Sequence, residues 1–155
     1  GYLEAARPEG QVNIVNSPAV AHDMGLELVD SVINAKTEYN ELIVAELTKD
    51  GKKFRVSGTI IGKSPRIVEI DRLFVDTNIK GHFLIVRNDD RPGIVGLVGS
   101  SLGEAGLNIA NLSLARNKTA GDALNIIELD TAPGPEIIQS LSDAPGIISV
   151  TAVKI

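Results

Sequence analysis

The chain has 155 residues, 43% of them hydrophobic, 23% charged and only 3% aromatic, so its cores are built from Val, Ile, Leu and Ala and suffice for one domain or two small ones. It contains no cysteine, which excludes a disulfide framework and cysteine-ligated metal and agrees with a reducing cytoplasm. The net charge is −5, with ten Lys/Arg against twelve Asp/Glu in residues 1–80 and five against eight in residues 81–155, so neither half has the basic excess that nucleic-acid phosphates demand, and no apolar run approaches the ~18 residues of a membrane span.

Residues 1–10 carry little pattern. Val12–Asn16 reads as a short strand, and Ser17 and Pro18 as the cap and first turn of a helix that ends near Gly25. Leu26–Ile33 reads as extended. Leu42–Leu47 and Phe54–Ile61 are β-rich runs on either side of Lys49-Asp50-Gly51-Lys52, and Asp-Gly at that place is a strong hairpin signal. The cluster of Lys49, Lys52, Lys53 and Arg55 is read as a solvated turn. Ile67–Ile70 and Leu73–Val75 form a second hairpin turning at Asp71-Arg72. The short polar link Asn78–Gly81 sets the expected boundary between a first domain, 1–79, and a second, 80–155. A β-rich domain that opens on a helix remnant leads us to expect that the natural N-terminus lies upstream of Gly1.

The second half has a sharper pattern. His82–Asn88 is a strand, and Pro92 and Gly93 break it and open a helix with Asp90 or Arg91 at the cap. Ile94, Leu97, Val98, Leu102 and Ala105 recur at helical spacing, and Gly106 suits the left-handed residue that closes a helix. Ile109–Ala115 and Ala123–Leu129 form a hairpin across the polar turn Asn117–Gly121. A second helix starts at Gly134-Pro135, carries Ile137, Ile138 and Leu141 on one face, and stops at Ala144-Pro145-Gly146. Ile147–Ile155 is the last strand. Right-handed crossovers then put both helices on one face of a four-stranded antiparallel sheet. The expected fold class is α+β: a β-rich domain with one or more helices, followed by a ferredoxin-like βαββαβ domain. The other sheet face must meet water, a second domain or a second subunit.

The chemistry concentrates at Val86-Arg87-Asn88-Asp89-Asp90-Arg91-Pro92-Gly93. Acidic side chains, an amide and a helix N-terminus gather there, a setting that suits a zwitterion. No nucleophile, paired general base or metal cluster accompanies them, so no catalytic and no metal-binding residue is assigned. A carboxylate at Asp90 can pair with an ammonium, Asn88 and Asn108 can donate or accept, and the free N–H groups near Ile94 and Val95 favour a carboxylate. Each residue also has a plainer reading. Asp90 is a natural helix cap, Asn108 tolerates a left-handed turn, and Asn88 ends a strand. Arg87 and Arg91 read as solvent-facing, and His22 and His82 as lone surface or packing residues. Gly96, Gly99 and Gly103 lack the Gly-x-Gly-x-x-Gly spacing of a dinucleotide site and are expected to let a neighbouring element pack close.

The segment Asn88-Asp89-Asp90-Arg91-Pro92-Gly93-Ile94-Val95-Gly96, followed by Leu102-Gly103-Glu104-Ala105-Gly106-Leu107-Asn108-Ile109, resembles the ACT regulatory domain. It is most similar to the ACT domain at the C-terminus of the D-3-phosphoglycerate dehydrogenase family. Val12-Asn13-Ile14-Val15-Asn16-Ser17-Pro18, Ser57-Gly58-Thr59 and Arg66-Ile67-Val68-Glu69-Ile70-Asp71 resemble the intervening, allosteric-substrate-binding domain of the long form of that family. Iron–sulfur L-serine dehydratases carry a similar pair of domains. The resemblance implies feedback binding of L-serine or another small amino acid at an interface of two ACT domains in a homo-oligomer. Asn88 and Asp90 would come from one subunit and Asn108 from the other. In the first domain it implies a phosphate-bearing metabolite or other anion, for which Arg66 and then Lys63 are the candidates; their plainer reading is two exposed charges on a loop. It implies no cofactor in this chain, NAD in a parent oxidoreductase of serine biosynthesis, and no nucleic-acid or membrane partner. The rival readings are the regulatory portion of an iron–sulfur serine dehydratase and an oligomerisation module without ligand.

Overall fold

The computed structural model describes residues 15–25, 27, 29, 31, 32, 38–117, 119 and 121–155. The chain divides into two compact units, Gly1–Thr37 and Glu38–Ile155. Three helices and eight strands are found among the described residues, and none of the helices is long and apolar enough to cross a membrane.

In the first unit, helix α1 spans Ser17–Asp23. Its N-cap is Asn16 rather than Ser17, no side chain caps it, and Pro18 lies in the first turn, where a missing N–H costs nothing. Gly25, at φ +70°, follows its end, as expected. Of the expected strand Val12–Asn16, Val15 and Asn16 form a turn, and the rest lies outside the described residues, as does much of Leu26–Ile33.

The second unit opens with a four-stranded antiparallel meander, β1 (Ile43–Lys49), β2 (Lys52–Ile61), β3 (Ser64–Ile70) and β4 (Leu73–Asn78). Both expected turns are present. Asp50 and Gly51 have φ of 51° and 73°, and Asp71 and Arg72 have 49° and 66°, the left-handed pair of a tight hairpin whose twist matches its strands. Asp71 tolerates that geometry because its carboxylate accepts the Arg55 N–H at 3.0 Å. A third hairpin at Gly62-Lys63 starts β3 at Ser64, three residues ahead of the expected Ile67. Pro65 conceals this strand start in the sequence. It is tolerated because β4 pairs only with residues from Arg66 onward, so its missing N–H faces no neighbour on that side.

The rest of the unit is β5 (His82–Asp89), α2 (Ile94–Glu104), β6 (Ile109–Asn117), β7 (Asp122–Leu129), α3 (Pro135–Ser142) and β8 (Ile147–Lys154). The strands pair antiparallel in the order β6-β7-β5-β8, the ferredoxin-like arrangement expected for an α+β chain. Side chains alternate across β5. Leu84 and Val86 join Ile127 and Leu129 against Ile94, Val98 and Leu102 of α2 and Leu141 of α3. Phe83 points the other way, into a second core with Leu124, Ile126, Ala115 and Val75 of β4. The face that the sequence left open to water, domain or subunit is therefore covered by the meander. Polar ties cross the same seam. The Asp76 N–H donates to Ser113 Oγ at 3.0 Å, Asn78 Nδ2 to Glu128 Oε2 at 2.9 Å, and Arg87 Nη2 to Asp71 Oδ2 at 2.9 Å.

Two expectations about α2 change. Its N-cap is Gly93, at φ +94°, with no side-chain cap, so neither Asp90 nor Arg91 takes that role. The chain turns into the helix through the left-handed region at Gly93. Gly96, Gly99 and Gly103 have no close neighbour among the described residues, since a Cβ added at any of them meets nothing within 4 Å. These facts separate two substitutions in thermal or urea unfolding. Gly93→Ala also has open space but must hold an L residue in the left-handed region, and is expected to cost about 1–2 kcal/mol. Gly96→Ala is expected to stabilise by about 0.5–1 kcal/mol through helix propensity.

Candidate functional site

The chain leaving β5 is fixed on both sides before α2 begins. The Asp89 N–H donates to Gly146 O at 2.8 Å and the Asp90 N–H to Gly121 O at 2.9 Å. Arg91 is exposed, yet its Nη2 donates to Pro145 O at 2.7 Å and its guanidinium lies where a Cβ on Gly146 would stand, 2.4 Å away. Arg91 thus joins the α3–β8 turn to this corner, and Gly146, at φ +90°, suits the left-handed backbone there.

A recess of about 280 Å³ lies between this corner, the start of α2 and the end of β6. Asn88, Asp90, Ile94 and Val95 line it, four of the five residues picked from the sequence, and Leu114 and Arg116 of β6 close it. Asn88 is engaged at both ends of its amide. Its Oδ1 accepts from Asn125 Nδ2 at 2.6 Å, its Nδ2 donates to Asp89 O at 2.6 Å, and only 2% of the residue is exposed. Asn125 is equally buried, and its own Oδ1 has no partner among the described residues. Asp90 accepts Arg116 Nε at 2.8 and 2.9 Å on its two oxygens; its side chain is 17% exposed and that of Arg116 54%. At the start of α2 the first helical bond runs from Leu97 N–H to Gly93 O, so the N–H groups of Ile94 and Val95, two residues that line the recess, have no helical acceptor.

Asn108 lies elsewhere. Its Nδ2 donates to Asp130 Oδ2 at 2.6 Å, beside the Ile109–Leu129 pair at the opposite end of the sheet from Asn88. Within one chain it does not reach the recess. Arg66, the first anion candidate, is largely spent on internal partners. It contacts Asp76 through Nε at 2.7 Å and Nη2 at 2.6 Å, and its Nη1 donates to Asn78 Oδ1 at 2.6 Å. Lys63 sits exposed on the Gly62-Lys63 turn. Arg87 is not solvent-facing as expected. It is half-buried between Asp71 at 2.9 Å and Asp122 at 3.3 Å, because β5 alternation turns it toward the meander.

Sequence reasoning missed Arg116 and Asn125. Arg116 continues the Leu112, Leu114 alternation onto the helix side of β6, and an arginine ending such an apolar series is a usable signal. Asn125 interrupts the apolar run Ala123–Leu129, and a lone amide in a two-sided buried strand requires a partner.

Residues 1–71 match the family model described as the D-3-phosphoglycerate dehydrogenase intervening domain. Nearly the whole chain is also similar to curated D-3-phosphoglycerate dehydrogenases. Identity is 31% over 147 residues with that of Archaeoglobus fulgidus (94% of this chain, 28% of the relative). It is 31% over 144 residues with that of Methanocaldococcus jannaschii (93% and 27%). With that of Bacillus subtilis it is 30% over 156 aligned positions (100% and 30%). The chain therefore spans under a third of the length of these relatives.

Proposed function

Because residues 1–71 belong to the D-3-phosphoglycerate dehydrogenase intervening-domain family and nearly the whole chain is homologous to such enzymes, we propose that it is their amino-acid-sensing regulatory region. The effector is L-serine or another small amino acid, held at the seam of two ACT domains. The parent enzyme oxidises 3-phosphoglycerate with NAD, and this region, itself without a catalytic residue, restrains it by feedback in the cytoplasm. The observation that carries the reading is the recess, where the mostly buried Asp90 carboxylate and the open N–H groups of Ile94 and Val95 meet.

The sheet order supports a paired seam. β6 is an edge strand, and an antiparallel match of β6 with its copy about Ser113 would bring Ile109 of one chain opposite Asn117 of the other. Asn108 would then approach the recess of the second chain. The exposed glycine side of α2 leaves room for a close neighbour. Arg87 gives the recess a route to the meander, since it adjoins Asn88 and grips Asp71 across the seam.

One observation favours the second reading, an oligomerisation module without ligand: Asp90 already holds Arg116. Titration calorimetry with L-serine separates the two. Micromolar binding is expected, because a few charge-assisted hydrogen bonds must offset the lost freedom of a small ligand. Asn108→Ala is expected to weaken it by about tenfold or more, the worth of one such bond, without changing the melting temperature by more than a few degrees. Absence of heat for a panel of amino acids at millimolar concentration, with an unchanged sedimentation coefficient, would leave only the ligand-free module.

A further inference from the structure

The Asp90–Arg116 pair has an uneven shape. Arg116 uses Nε alone, giving it to both Asp90 oxygens, and its two Nη groups have no partner among the described residues. The outer edge of the guanidinium is thus an open fork, of the kind that takes a carboxylate through two parallel hydrogen bonds. Asp90, accepting one donor, keeps lone pairs for a second cation. The amide that sequence reasoning offered to the ligand is unavailable for a different reason: both ends of Asn88 are already bonded inside the fold. Within one chain the ion pair thus supplies the charged side chains for both ligand charges, beside the helix-start N–H groups of Ile94 and Val95.

We propose that Arg116 is the carboxylate anchor of the recess, with its Nε still on Asp90, and that the bound group is a zwitterion whose ammonium rests on the Asp90 carboxylate. This rests on the amino-acid-sensing reading and adds to it a residue and a rule of selectivity. The pair is a fixed dipole, and only a ligand with an opposed dipole matches both ends. An amine without a carboxylate leaves the fork empty. A hydroxy acid without an ammonium presents its charge to Asp90 unmatched. Ile94, Val95 and Leu114 supply an apolar wall that suits a small side chain.

The test is calorimetry on the wild-type chain, Arg116→Gln and Arg116→Lys with L-serine, L-serinamide and glycerate. The wild type is expected to bind L-serine at least about tenfold more tightly than the amide, and glycerate not measurably. Arg116→Gln is expected to lose roughly 10–100-fold for L-serine, the worth of charge-assisted bonds to the carboxylate. Its affinity for the amide is expected to stay level or rise, because Asp90 has lost a competing cation. Arg116→Lys, a point charge without the fork, is expected to recover part of the loss. Unchanged L-serine affinity in Arg116→Gln would overturn the assignment while leaving amino-acid sensing intact. Parallel loss of L-serine and the amide would also overturn it, since that pattern marks a residue that only positions Asp90. A wild type silent to L-serine and to every other amino acid would overturn the sensing reading and this inference with it.

Discussion

Phe83→Ala is expected to lower the unfolding free energy by about 3–5 kcal/mol, as buried aromatic truncations do. Phe83 is 3% exposed and sits in the core between the meander and the ferredoxin-like sheet, packed among Val75, Leu124 and Ile126. A small, half-open apolar pocket of about 30 Å³ lined by Phe83, Ile67, Thr77 and Ile126 already borders it. Removing the ring merges new space with that pocket, and two sheets held by several strand pairings collapse onto it poorly. Leu84→Ala, one residue on, is fully buried on the helix side and is expected to cost about 2–5 kcal/mol. The two differ in where the damage lies. Hydrogen exchange should show lost protection in β3 and β4 for Phe83→Ala and in α2 and α3 for Leu84→Ala. Equal loss over both sheets and both helices in each variant would show that the two cores do not behave as separate layers.

That contrast also explains what was legible in the sequence. Phe83-Leu84-Ile85-Val86 is a continuous apolar run, the mark of a strand covered on both faces. The run says that something covers the second face but not which element, because the cover comes from β4 through Val75 and its neighbours, across a sheet seam that no local pattern encodes. Hairpins were readable where two residues must adopt left-handed φ, at Asp50-Gly51 and Asp71-Arg72. The start of β3 was not, since Pro65 argues against a strand until the shortness of β4 is known. Asp90 had the grammar of a cap, and Gly93 took that place through a backbone conformation instead. The candidate site was half legible. Residues contiguous in the chain, Asn88 to Val95, could be read together, whereas Arg116 enters through register, with Arg116 opposite Ala123 and Ala123 opposite Asn88.

Asp90→Ala is expected to separate binding from folding. The ion pair it breaks has a partner that is more than half exposed, so Arg116 returns to water with little loss, and the change in unfolding free energy should stay within about 1 kcal/mol. The Asp90 N–H to Gly121 survives the substitution, so the corner keeps its path. Binding has no such refuge. The carboxylate is the sole acidic side chain among the residues that line the recess, and an ammonium placed there without it loses a desolvated, charge-assisted partner. Truncating one member of such a pair costs about 2–5 kcal/mol, or a fall in affinity of roughly 30-fold or more. Calorimetry with L-serine alongside urea unfolding would read both quantities on one preparation. A variant that unfolds early and binds in proportion to its folded fraction would make Asp90 a structural residue, held by Arg116 to shape the corner, and the ligand's ammonium would need another acceptor.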